Sequence, residues 1–323
     1  MAGSWTLNIL IVHGIGWGQE GTKYAHPLQR NIGAAFERAL GRLRLRDIRR
    51  SDADPRRALR FAAVHWGPVT QASQDALLAL MGFRAFPLLR RLNLAYQARR
   101  QMVGLLGDVI GYEGGPHNRV YQAIHRCVDK RAAALGAASA TERSEDGLAP
   151  LTVIGHSLGS VIASDYIWDH TREATEPYHL AEHRLALKNL ILMGSPMALY
   201  TLRNNPAADR QTLAASLDSP VQVDPDGGLW LNLYDPQDPI AFPLQPLESY
   251  ARAGVIDCAI KAGNWLTTWN PASHVGYWRS DEVAEIIGRK LALDWAALNS
   301  PAYAGERYAR DVAALRKELA RWR

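Results

Sequence analysis

The chain has 323 residues, of which 47% are hydrophobic and 21% charged, a composition that argues against a disordered chain and supplies enough apolar material for a large core. The net charge of +5 comes with no nucleic-acid-binding motif, so a solvated, arginine-rich surface explains it more simply than a polyanionic partner. Cys127 and Cys258 stand outside any Cys-x-x-Cys or Cys/His spacing and the ten histidines are scattered, which excludes a disulfide scaffold and leaves any metal cluster to be assembled by the fold. No metal or organic cofactor is expected.

The N-terminus lacks a basic region ahead of its apolar run, and no apolar stretch approaches the roughly 20 residues of a spanning helix. The expected location is therefore cytoplasmic. Leu7 to Val12 is a short β-branched and apolar run, as for a strand buried on both faces of a parallel sheet. It ends in His13-Gly14-Ile15-Gly16, a turn that could aim the Ile15 backbone N–H into a site. Residues 27–45 carry apolar side chains at helical spacing, and an arginine-rich stretch broken by Asp52-Ala53-Asp54-Pro55 reads as a surface loop. Leu59 to Trp66 is a second buried strand, so the first unit is strand, helix, strand with a right-handed parallel crossover.

Residues 70–115 exceed a simple crossover. Leucines, Met81, Phe83, Phe86 and Met102 interleave with Arg84, Arg90, Arg91, Arg99 and Arg100, a pattern that fits either a helical cap or lid touching lipid headgroups or two ordinary helices packed on the core. Asp108, near its end, is expected to be a cap or a buried acceptor. A helix follows from Asn118 to about Leu135, then a flexible loop over residues 136–150 rich in small and acidic residues.

The segment that organises the chain is next. Thr152-Val153-Ile154 runs into Gly155-His156-Ser157-Leu158-Gly159, and the sequence continues with helical character through Trp168. A strand, a sharp turn and a helix around Gly-x-Ser-x-Gly predict a nucleophile elbow: Ser157 is held out at the sheet edge, and Gly155 and Gly159 relieve clashes a Cβ would cause. Leu158, just past the serine, would offer the second backbone N–H beside that of Ile15.

Further strands are expected at Lys188 to Met193, ending in Gly194-Ser195-Pro196, at Leu229 to Tyr234, and at Val255 to Ile260, with a long polar loop over residues 203–227. The strand at 229–234 delivers Asp235-Pro236-Gln237-Asp238-Pro239, and the last is followed by Ser273-His274-Val275-Gly276-Tyr277-Trp278. Two helices close the chain. Val283, Ile286, Ile287 and Leu291 face the sheet from the first; residues 301–323 form a basic amphipathic helix with Tyr308, Val312, Leu315, Leu319 and Trp322 in a narrow stripe, suited to packing here or to a dimer or membrane-surface contact.

Ser157, an acid and His274 thus stand in the chain order of α/β-hydrolases. A serine hydroxyl needs a base, and His274 is the only histidine after the acid. Asp235 and Asp238 compete for the acid; Asp238 is favoured because it lies farther past the strand end, ahead of a stiffening proline, with Asp235 left as a turn cap. His156 is expected to pack rather than act as base, and His13, with Gly14 and Gly16, to organise the loop that carries Ile15.

Val12-His13-Gly14-Ile15-Gly16, Gly107-Asp108-Val109-Ile110-Gly111-Tyr112, residues 155–162, Asn232-Leu233-Tyr234-Asp235-Pro236-Gln237-Asp238-Pro239-Ile240-Ala241 and Ser273-His274-Val275-Gly276-Tyr277-Trp278 resemble, in the same order, segments of the DDHD-domain phospholipases. The resemblance implies a Ser157, Asp238, His274 triad, an intracellular location and hydrolysis of glycerophospholipid acyl esters. The expectation is one α/β-hydrolase domain over residues 1–323, with a mostly parallel sheet flanked by helices and a cap insertion, acting on an ester or lipid and not on nucleic acid. A thioesterase or acyltransferase on the same scaffold, or a non-catalytic lipid- or protein-binding module, stays open, as does the oligomeric state.

Overall fold

Leu7–Val12 forms β1, and every one of its residues is buried. Ile9 and Ile11 face a core built with helices α1 (His26–Leu43), α6 (Asp281–Asn299) and α7 (Glu306–Leu319), while Leu10 and Val12 face a second core built with α4 (Arg119–Ser139) and α5 (Leu158–Thr171). A strand apolar on both faces is what a sheet covered by helices on both sides requires, and each fully buried Leu, Ile or Phe side chain contributes roughly 1.5–3 kcal/mol. The computed structural model describes residues 5–14, 21–48, 53–81, 94–113, 115–140, 147–203, 221–262 and 273–322.

Among the described residues the sheet has seven strands: β1, β2 (Leu59–Val64), β3 (Ala149–His156), β4 (His179–Leu180), β5 (Leu185–Met193), β6 (Leu229–Tyr234) and β7 (Ile256–Ala259). Its order is β2-β1-β3-β5-β6-β7, all parallel, and β4 adds an antiparallel pair to the start of β5. The fold is therefore α/β with a mostly parallel sheet flanked by helices. After β1 the chain steps to β2 on one side and then to β3 on the other. The strand order reverses there, the position at which open α/β sheets place their ligands, beyond the carboxyl ends of β1 and β3. The register sets Val12 beside Gly155, Gly155 beside Leu192, and Met193 beside Leu233. The residues that follow β1, β3, β5 and β6 consequently emerge at one edge.

Two details differ from the sequence reading. The helix α4 continues to Ser139 instead of ending near Leu135, because an alanine-rich stretch with high helix propensity carries it on and Gly136 lets it pass close to the His183 carbonyl. The strand β4 is only two residues long, too short for any periodic signal. Residues 70–115 contribute α2 (Pro68–Leu80) and α3 (Leu94–Tyr112), with residues 82–93 lying outside those described. Asp108 on α3 is buried and accepts hydrogen bonds from Thr70 Oγ1 and Gln74 Nε2, both at 2.6 Å, so it ties the two helices together. Leu80, Met81, Met102 and Ile110 on this pair are exposed. No helix among the described residues is long and apolar enough to cross a membrane.

A buried charged network lies away from the strand ends. Lys290 on α6 is fully buried, and burial pushes its pKa down to about 8 even though Asp294 pairs with it. Asp294 in turn accepts from Asn189 Nδ2 at 2.8 Å and the Tyr308 hydroxyl at 2.7 Å. The network joins β5, α6 and α7, and its members satisfy one another as a buried charge requires.

Candidate functional site

Ser157 joins β3 to α5 with φ 54° and ψ −133°, a region that costs a residue with a Cβ roughly 1–3 kcal/mol. The surrounding contacts over-determine it. Its N–H donates to Met193 O at 3.0 Å, and its carbonyl accepts from Ser160 N at 2.9 Å and Ser160 Oγ at 2.6 Å. A Cβ on Gly155 would stand 2.6 Å from Ser160 Cα, and one on Gly159 2.3 Å from His13 O, so neither position tolerates a larger residue without backbone movement. Gly14 makes the same close approach from the β1 side: a Cβ there would lie 2.5 Å from Ser157 Cβ. The turn after β1 and the turn after β3 are therefore in contact. Leu158 is the first residue of α5, where backbone N–H groups have no partner within the helix.

His274 lies in a short 3-10 helix, Ser273–Arg279, and its Nδ1 is 2.7 Å from Asp238 Oδ2. Both side chains are buried. A carboxylate only accepts, so Nδ1 carries a proton, and in the neutral ring Nε2 then presents a lone pair. Nε2 is buried with no hydrogen-bond partner among the described residues. The Asp238 carboxylate also accepts from the Tyr277 hydroxyl at 3.1 Å and from Ile240 N at 3.0 Å. Burial alone would raise its pKa; the His274 ring, the Ile240 N–H and the Tyr277 hydroxyl outweigh burial and hold it below the usual carboxylate value. Asp235 has a different task. Its two oxygens accept from Gln237 N and Ala262 N, both at 2.9 Å, which makes it a cap for the loop after β6.

His156 packs its ring 4.9 Å from that of His274 and 5.1 Å from Trp278, and its Nε2 is 2.6 Å from the His274 carbonyl. It holds the backbone of His274 from the elbow side. Burial, reinforced by the neighbouring His274 ring, lowers its pKa to about 3, so it is neutral. His13 stacks on Trp66 at 5.0 Å and meets the edge of Tyr24 at 4.7 Å, and the Trp66 indole N–H donates to its carbonyl at 3.0 Å. Burial brings His13 to about 3 as well. The β1 loop is thus fixed by aromatic packing. Ile15 and Gly16, which follow it, lie outside the described residues.

Three contributors, Tyr277, Gly194 and Ser195, were not singled out from the sequence. Tyr277 bridges the pair: its hydroxyl accepts from Asp235 N at 2.8 Å while donating to Asp238. The signal was its spacing, since side chains three apart eclipse on a 3-10 turn. Gly194, with φ +57°, lies where a Cβ would meet the His274 ring at 3.2 Å, and the next residue, Ser195, donates its hydroxyl to Ser160 Oγ at 2.7 Å, because the Ser160 proton is already given to Ser157 O. The end of β5 therefore braces both the elbow and the histidine.

Together these groups place a strained serine, an imidazole whose Nε2 is buried without a hydrogen-bond partner among the described residues, and an ionised carboxylate at one edge of the sheet, a set able to move a proton from a hydroxyl. A cleft lined by Arg30, Glu37, Arg44, Arg56 and Phe61, between α1 and the start of β2, contains none of these residues. No protein-family model matches the chain, and no curated protein matches its sequence.

Proposed function

We propose that the chain is a serine hydrolase of the α/β-hydrolase type that cleaves carboxylic esters through an acyl-enzyme. The observation that carries this reading is the conformation of Ser157 at the β3–α5 turn, with the hydrogen-bonded His274–Asp238 pair at the same sheet edge. In the proposed reaction Ser157 Oγ attacks the ester carbonyl carbon, and its proton passes to His274 Nε2. The tetrahedral oxyanion forms against the backbone N–H of Leu158 at the start of α5. His274 then gives the proton to the leaving alcohol as the C–O bond breaks, and the same base activates water to release the acid. Asp238 holds the imidazole in the productive tautomer and stabilises the imidazolium.

The substrate class proposed is a lipid or phospholipid ester, with α2 and α3 as a cap over the site. What supports this is the resemblance to the DDHD-domain phospholipases together with the exposed Leu80, Met81, Met102 and Ile110. The deciding experiment compares wild type with Ser157→Ala on short p-nitrophenyl esters and on a phospholipid panel read by mass spectrometry, alongside labelling by a fluorophosphonate probe. Wild-type turnover by the folded Ser157→Ala protein would overturn the reading.

A further inference from the structure

Asp129 in α4, His170 in the last turn of α5 and His183 in the turn Ala181–His183 offer one ligand atom each, and these atoms all lie within 4.8 Å of one another. His183 Nε2 is 2.7 Å and His170 Nε2 3.7 Å from the same Asp129 oxygen. The Tyr166 hydroxyl stands beside them, 3.1 Å from that oxygen and 3.0 Å from His183 Nε2. The three residues come from separate elements, so no spacing in the sequence announces them.

The hydrogen bonding of His170 gives the cluster its meaning. His170 Nδ1 is 2.8 Å from the carbonyl of Tyr166. A carbonyl only accepts, so in the neutral ring Nδ1 holds the proton and Nε2 presents a lone pair to a carboxylate oxygen that also only accepts. Two acceptors facing each other repel unless a proton or a cation lies between them. A histidine fixed by a backbone carbonyl on one nitrogen, with the other turned to a second histidine and a carboxylate, is the arrangement that metal-binding imidazoles use.

We propose that Asp129, His170 and His183 form a binding site for a divalent transition metal ion of the zinc class, with water as the fourth ligand. Two imidazoles and a carboxylate suit zinc, whereas calcium and magnesium take oxygen donors. With bonds of about 2.0–2.1 Å, tetrahedral ligand atoms stand about 3.3 Å apart, so His183 and Asp129 would separate and His170 and Asp129 approach by roughly half an ångström each. The Asp129 side chain is 43% exposed, which leaves it room to turn and leaves solvent access for the water. His183 would switch its proton to Nδ1, and Tyr166 would keep its donation to the carboxylate. Ser157 and His170 bracket opposite ends of α5, about 20 Å apart along a helix of this length, so the ion would clamp α4, α5 and the entry to β5 without touching the proposed chemistry. The proposal stands independently of the hydrolase reading.

The test uses the full chain stripped by chelator, titrated with Zn2+, with Mg2+, and with Co2+ as a visible-absorption probe. The expected result is uptake of one Zn2+ per chain, a raised thermal midpoint with Zn2+ but not Mg2+, and Co2+ bands of a four-coordinate site. His170→Ala, at the end of its helix, should lose affinity at least about tenfold while keeping the circular dichroism of wild type. Should that variant fold poorly, Asp129→Asn provides the same comparison, and His274→Ala should retain full uptake because that ring is not a ligand. Absence of stoichiometric uptake by wild type, or equal zinc affinity in wild type and a folded His170→Ala or Asp129→Asn protein, would overturn the proposal.

Discussion

His274 Nδ1 and Asp238 Oδ2 are 2.7 Å apart, although 36 residues separate them and neither belongs to the strand that bears Ser157. Asp235, three residues earlier, has one oxygen engaged by the Gln237 N–H of its own loop and the other by the Ala262 N–H beyond β7. The two aspartates therefore make opposite predictions. Asp238→Asn should leave the fold intact and lower kcat for ester hydrolysis by roughly 10⁴, because the amide favours the wrong imidazole tautomer. Asp235→Asn should act mainly on stability, by about 1–2 kcal/mol, with kcat within a few-fold of wild type. Steady-state kinetics with urea denaturation separates the two; equal kinetic losses would refute the assignment of the acid.

The strain at Ser157 can be measured apart from any activity. With φ 54° and ψ −133°, Ala at this position keeps the Cβ and the strain, whereas Gly relieves it. Ser157→Gly should therefore be more stable than Ser157→Ala by about 1 kcal/mol, net of the glycine's greater unfolded-state entropy, and both should be inactive. Denaturant midpoints that rank Ala at or above Gly would mean that the turn stores no strain.

Tyr277 positions the Asp238 carboxylate. It touches Asp238 and the Asp235 N–H, and burial, with the Asp238 charge beside it, raises its pKa so that it remains a donor. Tyr277→Phe removes that donor and leaves the Asp235 N–H without its acceptor. The expected outcome is a loss of about 1–3 kcal/mol in stability and a drop in kcat with KM unchanged. With one donor fewer, the Asp238 carboxylate directs more of its charge at the imidazole it holds, so the acid limb of the kcat profile should move to higher pH. A purely structural role would lower stability and leave that profile in place.

The parts of this arrangement legible in the sequence are those where a local backbone demand selects a residue type. Gly155 and Gly159 are readable because their Cβ positions are occupied by neighbouring backbone, and β1 because a strand covered on both sides needs an unbroken apolar run. Contacts between distant elements leave no such mark. His156 looks like any core histidine until its ring is found against His274, and Tyr277 is one aromatic among many until the 3-10 turn sets it over Asp238. The Asp129, His170 and His183 cluster depends on α4, α5 and a turn converging, so the scattered histidines gave only the composition. The extension of α4 past Leu135 was hidden for a different reason: small residues read as loop, yet alanine is the best helix former.

The buried histidines make stability depend on pH with a definite sign. His156 and His13 are both brought to about 3 by burial, below their ordinary value of about 6.5. In the unfolded chain each binds a proton as pH falls through about 6.5; in the folded chain neither does until much lower. Each therefore contributes stability that is fully present above about pH 6.5 and is lost progressively as pH falls from there towards 3, at up to about 1.4 kcal/mol per pH unit per histidine. His156→Gln keeps an N–H able to reach the His274 carbonyl but does not titrate. Urea denaturation at pH 7.5, 6 and 5 should show wild type losing stability steeply below 6.5 and the variant losing it with a slope smaller by one proton. Identical slopes would mean that His156 accepts a proton in the folded state, and then its contact with the His274 carbonyl could not be that of a neutral ring.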